Sequence, residues 1–169
     1  MSIFVAVAVN NVGGEIMKRL LVLILLTVVI VGVLTYSMPK GLGEYVEQIS
    51  TCATVSIYCR SAGVDGIDMG NGKIVQCSVA DFYSTLARCN DVDGFSVSFE
   101  GSAADIERIA RLFDLNITST MDVCGLHIVC GNSSKLVGGV ILDGVKVNVQ
   151  IAYKDGTVTV GSPLILGSY

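Results

Sequence analysis

The sequence predicts an α+β fold: an N-terminal transmembrane helix, then a mostly antiparallel sheet with two helices on one face and a C-terminal β-meander. Three observations lead there. An unbroken apolar run fills residues 20–34 behind the basic pair Lys18 and Arg19. Two segments of the form S-x-A-D-apolar, at 78–82 and 102–106, each follow a strand-like stretch and open an apolar period of 3.6 residues. Two Asp-Gly pairs, Asp143-Gly144 and Asp155-Gly156, sit inside alternating apolar stretches.

The 169 residues are 51% apolar and 15% charged, with mean hydropathy +0.67, far too apolar for a disordered chain. Fifteen acids against eleven bases give a net charge of −4. That balance speaks against a nucleic-acid partner, whose phosphates are met by clustered Lys and Arg. His127 is the one histidine, which excludes any site needing two.

Residues 1–16 place a mildly apolar piece and Glu15 ahead of the basic pair, an arrangement foreign to signals and anchors. Gly13-Gly14-Glu15 can be encoded GGA-GGU-GAG, a bacterial ribosome-binding sequence, one codon before Met17. The expectation is a bacterial source, a start at Met17 and a non-native leader at 1–16.

Residues 17–38 read as a signal anchor. Lys18 and Arg19 stay cytoplasmic under the positive-inside bias, and everything downstream goes outside. The apolar run alone makes about 22 Å of helix, and extended to Met38 about 28 Å, close to the ~30 Å hydrocarbon thickness. This length favours an uncleaved single-pass helix in contact with the membrane through residues 20–37. Cleavage after Ser37, with Thr35 at −3, is the alternative and would yield a secreted protein. Neither a lipoprotein nor a type IV pilin fits, because the first cysteine is Cys52 and Arg19 stands where a pilin needs Glu.

Residues 39–51, with Pro39, Gly41, Gly43, Glu44 and Glu47, read as a linker carrying one helical turn around Tyr45 and Ile49. Residues 52–169 are the extracytoplasmic domain, long enough for one core. With 9 bases and 14 acids from Met38 onward, nothing holds it to anionic lipid.

Within the domain, a strand at 54–60 and a Gly-rich loop at 63–72 lead to a strand at 73–76 that pairs antiparallel with the first. Helix one puts Val79, Phe82, Tyr83, Leu86 and Cys89 on one face. The strand at 95–100 alternates, with Phe95, Val97 and Phe99 opposite Ser96, Ser98 and Glu100. Helix two buries Ile106, Ile109, Ala110 and Phe113 and pairs Glu107 with Arg111 outside. The shared Ser and Asp act as caps, since an acid at each helix start would repel an anion. A one-faced strand beside one-faced helices places both helices on one side of the sheet.

Three hairpins follow. A looser one around 122–125 sets Met121 opposite Leu126 and Ile117 opposite Cys130. Asp143-Gly144 sets Leu142 opposite Val145 and Val140 opposite Val147. Asp155-Gly156 sets Tyr153 opposite Val158 and Ile151 opposite Val160, so apolar meets apolar in each. The tail, with Leu164, Ile165 and Leu166, is expected to dock beneath the two helices rather than lie open to a partner.

Six cysteines outside a membrane suggest disulfides, and Cys52 with Cys77 is the favoured pair, because antiparallel pairing of the first two strands brings those ends together. Free core thiols are an equal alternative. Cys124 and His127 invite a thiol-protease reading, but their spacing presents no thiol to the imidazole, so structural use is expected. No metal site is expected without a C-x-x-C. Asp65, Asp68, Asp91 and Asp93 read as turn residues, and Asp91-Val92-Asp93-Gly94 lacks the remaining ligands of a calcium loop. No phosphate loop, nucleophile elbow or cofactor motif is present. The functional expectation is a bacterial envelope interaction or assembly module that meets an envelope protein and carries no catalytic activity. A thiol-dependent envelope enzyme or redox protein using Cys124 or Cys59 is the alternative.

Overall fold

The computed structural model describes residues 20–28 and 41–166, which belong to two compact units, 1–38 and 39–169. Residues 20–28 of the first unit are helical and their large apolar side chains are exposed. Among the described residues no helix is long and apolar enough to cross a membrane. The rest of the expected anchor, the cleavage position after Ser37 and the leader at 1–16 lie outside the described residues.

The second unit is α+β. Its strands are β1 (Thr54–Ala62), β2 (Ile67–Asp68), β3 (Lys73–Ser78), β4 (Cys89–Glu100), β5 (Asn116–Val123), β6 (Leu126–Asn132), β7 (Val140–Leu142), β8 (Val145–Val147), β9 (Val149–Lys154) and β10 (Thr157–Ser162). Eight of them form one antiparallel sheet in the order β2-β3-β1-β4-β10-β9-β6-β5. Three short helices cover one face: α1 (Val46–Ile49, continuing a 3-10 turn at Leu42–Tyr45), α2 (Phe82–Leu86) and α3 (Ala103–Leu112).

Alternation makes that face apolar. Val55, Ile57 and Cys59 of β1, Val97 and Phe99 of β4, Val149 and Ile151 of β9, and Val158 and Val160 of β10 are all buried. Phe82 of α2, Ile106 and Ile109 of α3, and Phe113 just beyond it close over them. Segment 41–50 joins this core instead of linking two parts. Leu42, Val46 and Ile49 recur at helical spacing and are almost fully buried. Gly43 lets the turn approach α2, since a Cβ there would stand 2.9 Å from the Phe82 ring. Arg108 Nη2 donates to the Ile49 carbonyl at 3.0 Å, and the Tyr45 and Phe113 rings meet edge to face at 5.2 Å.

Helix two is found as α3. The Ser102 N–H donates to Asp105 Oδ2 at 2.9 Å, one half of a capping box, and Arg111 lies 3.5 Å from Glu107 on the exposed side. Helix one is shortened to the five residues of α2, and Cys89 leaves it to begin β4. Pairing of Cys89 with Ala62 extends the twelve-residue strand backwards and overrides the local helical period. Ser78 therefore closes a turn, its Oγ donating to Asp81 Oδ2 at 2.7 Å, and the helix starts four residues later, at Phe82.

The Asp-Gly hairpins form in the expected register. Tyr153 faces Val158 and Ile151 faces Val160, with Asp155 at φ 48° and Gly156 at φ 81°. Leu142 faces Val145 and Val140 faces Val147. The meander is nevertheless broken, because β7 and β8 form a separate two-stranded ribbon and β9 pairs with β6. The hairpin at 122–125 is tight, not loose. Cys124 at φ 49° and Gly125 at φ 78° form a two-residue turn that sets Val123 opposite Leu126 and Met121 opposite Ile128. A cysteine in a left-handed turn position carries no sequence signal, which is why the expected pairing was two residues out.

Candidate functional site

The second face of the sheet, away from the helices, carries the candidate site. On β4, β10 and β9 the positions between core residues are small or polar: Ser96 and Ser98, Thr157, Thr159 and Gly161, and Gln150 and Ala152. Ser98 Oγ and Thr159 Oγ1 are 3.0 Å apart across the β4–β10 pair.

The tail crosses this floor. Its placement corrects the expectation that it docks beneath the helices, for it turns at Pro163 and runs over the opposite face. Pro163 has no N–H with which to extend the ladder. Gly161 supplies the crossing point, because a Cβ there would collide with the backbone at both Ile165 N and Leu164 O. The Ile165 N–H donates to Gln150 Oε1 at 3.0 Å, and the Leu166 N–H donates to Ser96 Oγ. Side chains of the sheet thus hold an apolar segment by its backbone amides. Ser96, with 1% of its surface exposed, is buried by this arrangement rather than facing water as the one-faced reading of its strand implied.

Beside the tail lies a cavity of about 350 Å3. Its floor is Ser98, Thr157, Thr159 and Ala152, its apolar wall is Ile165 and Leu166, and Lys154 and Asp155 stand at the rim by the β9–β10 turn. That volume lies at the lower end of the range for ligand sites. Hydroxyls on the floor, an apolar wall and one charge of each sign suit a segment with both apolar and hydrogen-bonding groups, and the same chemistry already holds the tail.

The thiols are elsewhere. Cys52 and Cys77 are both free; Cys52 is exposed in a turn, and the β1–β3 register puts Val55, not Cys52, opposite Cys77. Cys59 is fully buried on the helix-covered face of β1. Its neighbour Cys89 donates to the Thr85 carbonyl at 3.5 Å. Burial, and then the adjoining Cys59 thiol, push Cys89 up to about 11, while burial also raises Cys77. Raised thiols are poor nucleophiles near neutrality. Cys124 is exposed in the β5–β6 turn, and His127 Nδ1 is 2.6 Å from Asp122 Oδ1, so the imidazole is engaged with a carboxylate across the hairpin. Among the described residues no group of three His, Cys, Asp or Glu side chains is placed to hold a metal ion. Of the four acids expected in turns, Asp68 caps the Gly70 N–H at 2.7 Å, whereas Asp91 and Asp93 lie within β4, Asp91 at φ 50°.

Sequence reasoning missed Ser96, Gln150 and Thr159 as a group. The available signal was small or polar residues at alternate positions on three segments, but only the strand order makes them neighbours. The fold and site define a small antiparallel α+β domain with one face under helices and the other under its own tail. Comparison with family models, curated proteins and solved structures finds no match for the chain.

Proposed function

We propose that the chain is a bacterial envelope interaction or assembly module without catalytic activity. It is displayed outside the cytoplasmic membrane on an anchor at 17–38, or secreted after cleavage at Ser37. The observation that carries this reading is the second sheet face, where Gln150 and Ser96 already grip an apolar segment by its backbone N–H groups. The adjoining cavity offers Ser98, Thr157 and Thr159 to a segment of the same kind. The partner is an envelope protein that lays a short extended stretch along this floor.

Two measurements on the full chain test the proposal. A reporter active only outside the cytoplasm, fused after Tyr169, is expected to be active; activity of a cytoplasm-only reporter instead overturns the location. A photoreactive residue at Thr157 is expected to link one discrete envelope protein in cells, with loss of the adduct in Thr159→Arg. Equal labelling from Glu107, on the exposed side of α3, would count against the face.

A further inference from the structure

The two edges of the sheet are built differently. At one, β2 has two residues and presents little backbone for another strand. At the other, β5 runs for eight residues, Asn116–Val123, with no proline and no basic residue. Short edges, prolines and lysines are the usual protections of an edge strand. The one ionic side chain of β5, Asp122, is held 2.6 Å from His127. Among the described residues nothing pairs with its outer side, and Met121 and Val123 stand 57% and 49% exposed.

The tight turn at Cys124-Gly125 fixes which backbone groups point outward. In a two-residue hairpin the flanking pair, Val123 and Leu126, exchanges both ladder bonds, and such pairs recur at every second position. Met121 and Ser119 therefore bond inward to β6, while Thr120 and Asp122 turn their N–H and C=O groups to the open side.

We infer that this edge pairs with β5 of a second copy of the chain, antiparallel, with Met121 on the two-fold axis. The register follows from charge and from the bulge. Centring the axis on Asp122 would set two carboxylates opposite each other. Centring it on Thr120 would draw in the irregularity between Ile117 and Ser119, where the alternation slips. Centring it on Met121 sets Thr120 opposite the partner's Asp122, and Asp122 opposite the partner's Thr120. Each is a pair of outward-facing residues able to exchange both backbone bonds. On the second face Met121 meets the partner's Met121 and Ser119 meets the partner's Val123, so the exposed apolar side chains cover one another. The edge is self-complementary, as a two-fold interface requires.

The closing experiment uses the full chain in mild detergent, with Cys52→Ser and Cys124→Ser removing the exposed thiols. Positions facing each other without ladder bonds lie about 4.5 Å apart between Cα atoms, within disulfide reach. On oxidation with a copper–phenanthroline reagent, two Met121→Cys thiolates lose two electrons to Cu(II) and form one S–S bond. A disulfide-linked dimer is expected from Met121→Cys, and none from Glu107→Cys. Adding Thr120→Pro removes an outward N–H that the domain's own sheet does not use, and is expected to abolish the dimer. Native mass spectrometry of the unmodified chain is expected to show dimer. A monomer there, or no more linkage from Met121→Cys than from Glu107→Cys, overturns the inference. Failure here leaves the photolinking outcome at Thr157 unaffected, since that residue lies three strands away, on β10.

Discussion

Asn148 and Ser133 exchange two hydrogen bonds: the Ser133 N–H donates to Asn148 Oδ1 at 2.8 Å, and Asn148 Nδ2 donates to the Ser133 carbonyl at 2.8 Å. The second Nδ2 proton goes to the Leu136 carbonyl at 3.0 Å, and the Asn148 N–H goes to the Gly131 carbonyl at 3.0 Å. One fully buried amide thus satisfies backbone groups at both ends of the turn from Ser133 to Leu136. Ser133 Oγ carries the network to the Phe113 carbonyl at the end of α3, at 2.5 Å, and Lys135 Nζ reaches the Leu112 carbonyl at 2.9 Å.

Asn148→Ala would leave three buried backbone groups without partners. Each such group costs about 1–3 kcal/mol, reduced where the loop relaxes, so a loss of about 3 kcal/mol is expected from urea unfolding of residues 39–169. A loss under about 1 kcal/mol would show that water replaces the amide.

The hub also marks the limit of what is legible in the sequence. The α+β class, α3 with its Ser102 and Asp105, and both Asp-Gly registers were legible because each is set by residues within a few positions of one another. Segment 41–50, the shortened α2, the crossing of the tail and the grip of Asn148 depend on pairings between distant residues. Gly43 and Glu44 masked the Leu42, Val46, Ile49 period, and Pro163 signalled a strand end without saying to which face the chain would turn.

Gly156→Val tests the tail hairpin. At φ 81° with nothing within 4 Å of an added Cβ, the penalty is backbone strain alone. A loss of about 1–2 kcal/mol is expected, whereas Gly156→Asn loses less because Asn tolerates this region. Equal midpoints for the two variants would remove the turn as the cause.

Gly161→Ala separates tail from core. Its Cβ would collide with the backbone at Leu164 and Ile165 while leaving Val158 and Val160 in place. Faster hydrogen exchange at the Ile165 and Leu166 amides is expected, with β1–β4 protection retained. Unchanged exchange at those two amides would show that the tail is held by something other than its passage over Gly161.

Alkaline unfolding reports on the thiols. Cys89 holds its proton more tightly folded, at about 11, than at the ordinary 9.0. Its contribution is therefore fully present below pH 9.0 and is lost as pH rises toward about 11. Stability of residues 39–169 is expected to fall over that window, and less steeply in Cys89→Ala relative to its own value at pH 8. An identical slope in both would assign the loss to other groups.

The strand order has a consequence for biosynthesis. The strands made first gather on one side of β10 and those made later on the other, so two half-sheets meet only through residues 157–162. A polypeptide released N-terminus first must hold β4 and β9 apart, each with an unzipped margin, until that closing strand is delivered. Pulse-labelling during refolding should find the Val97 and Ala152 amides, which bond to that strand, acquiring protection together and late, and early protection at either would mean the halves mature separately. The domain is assembled around a keystone.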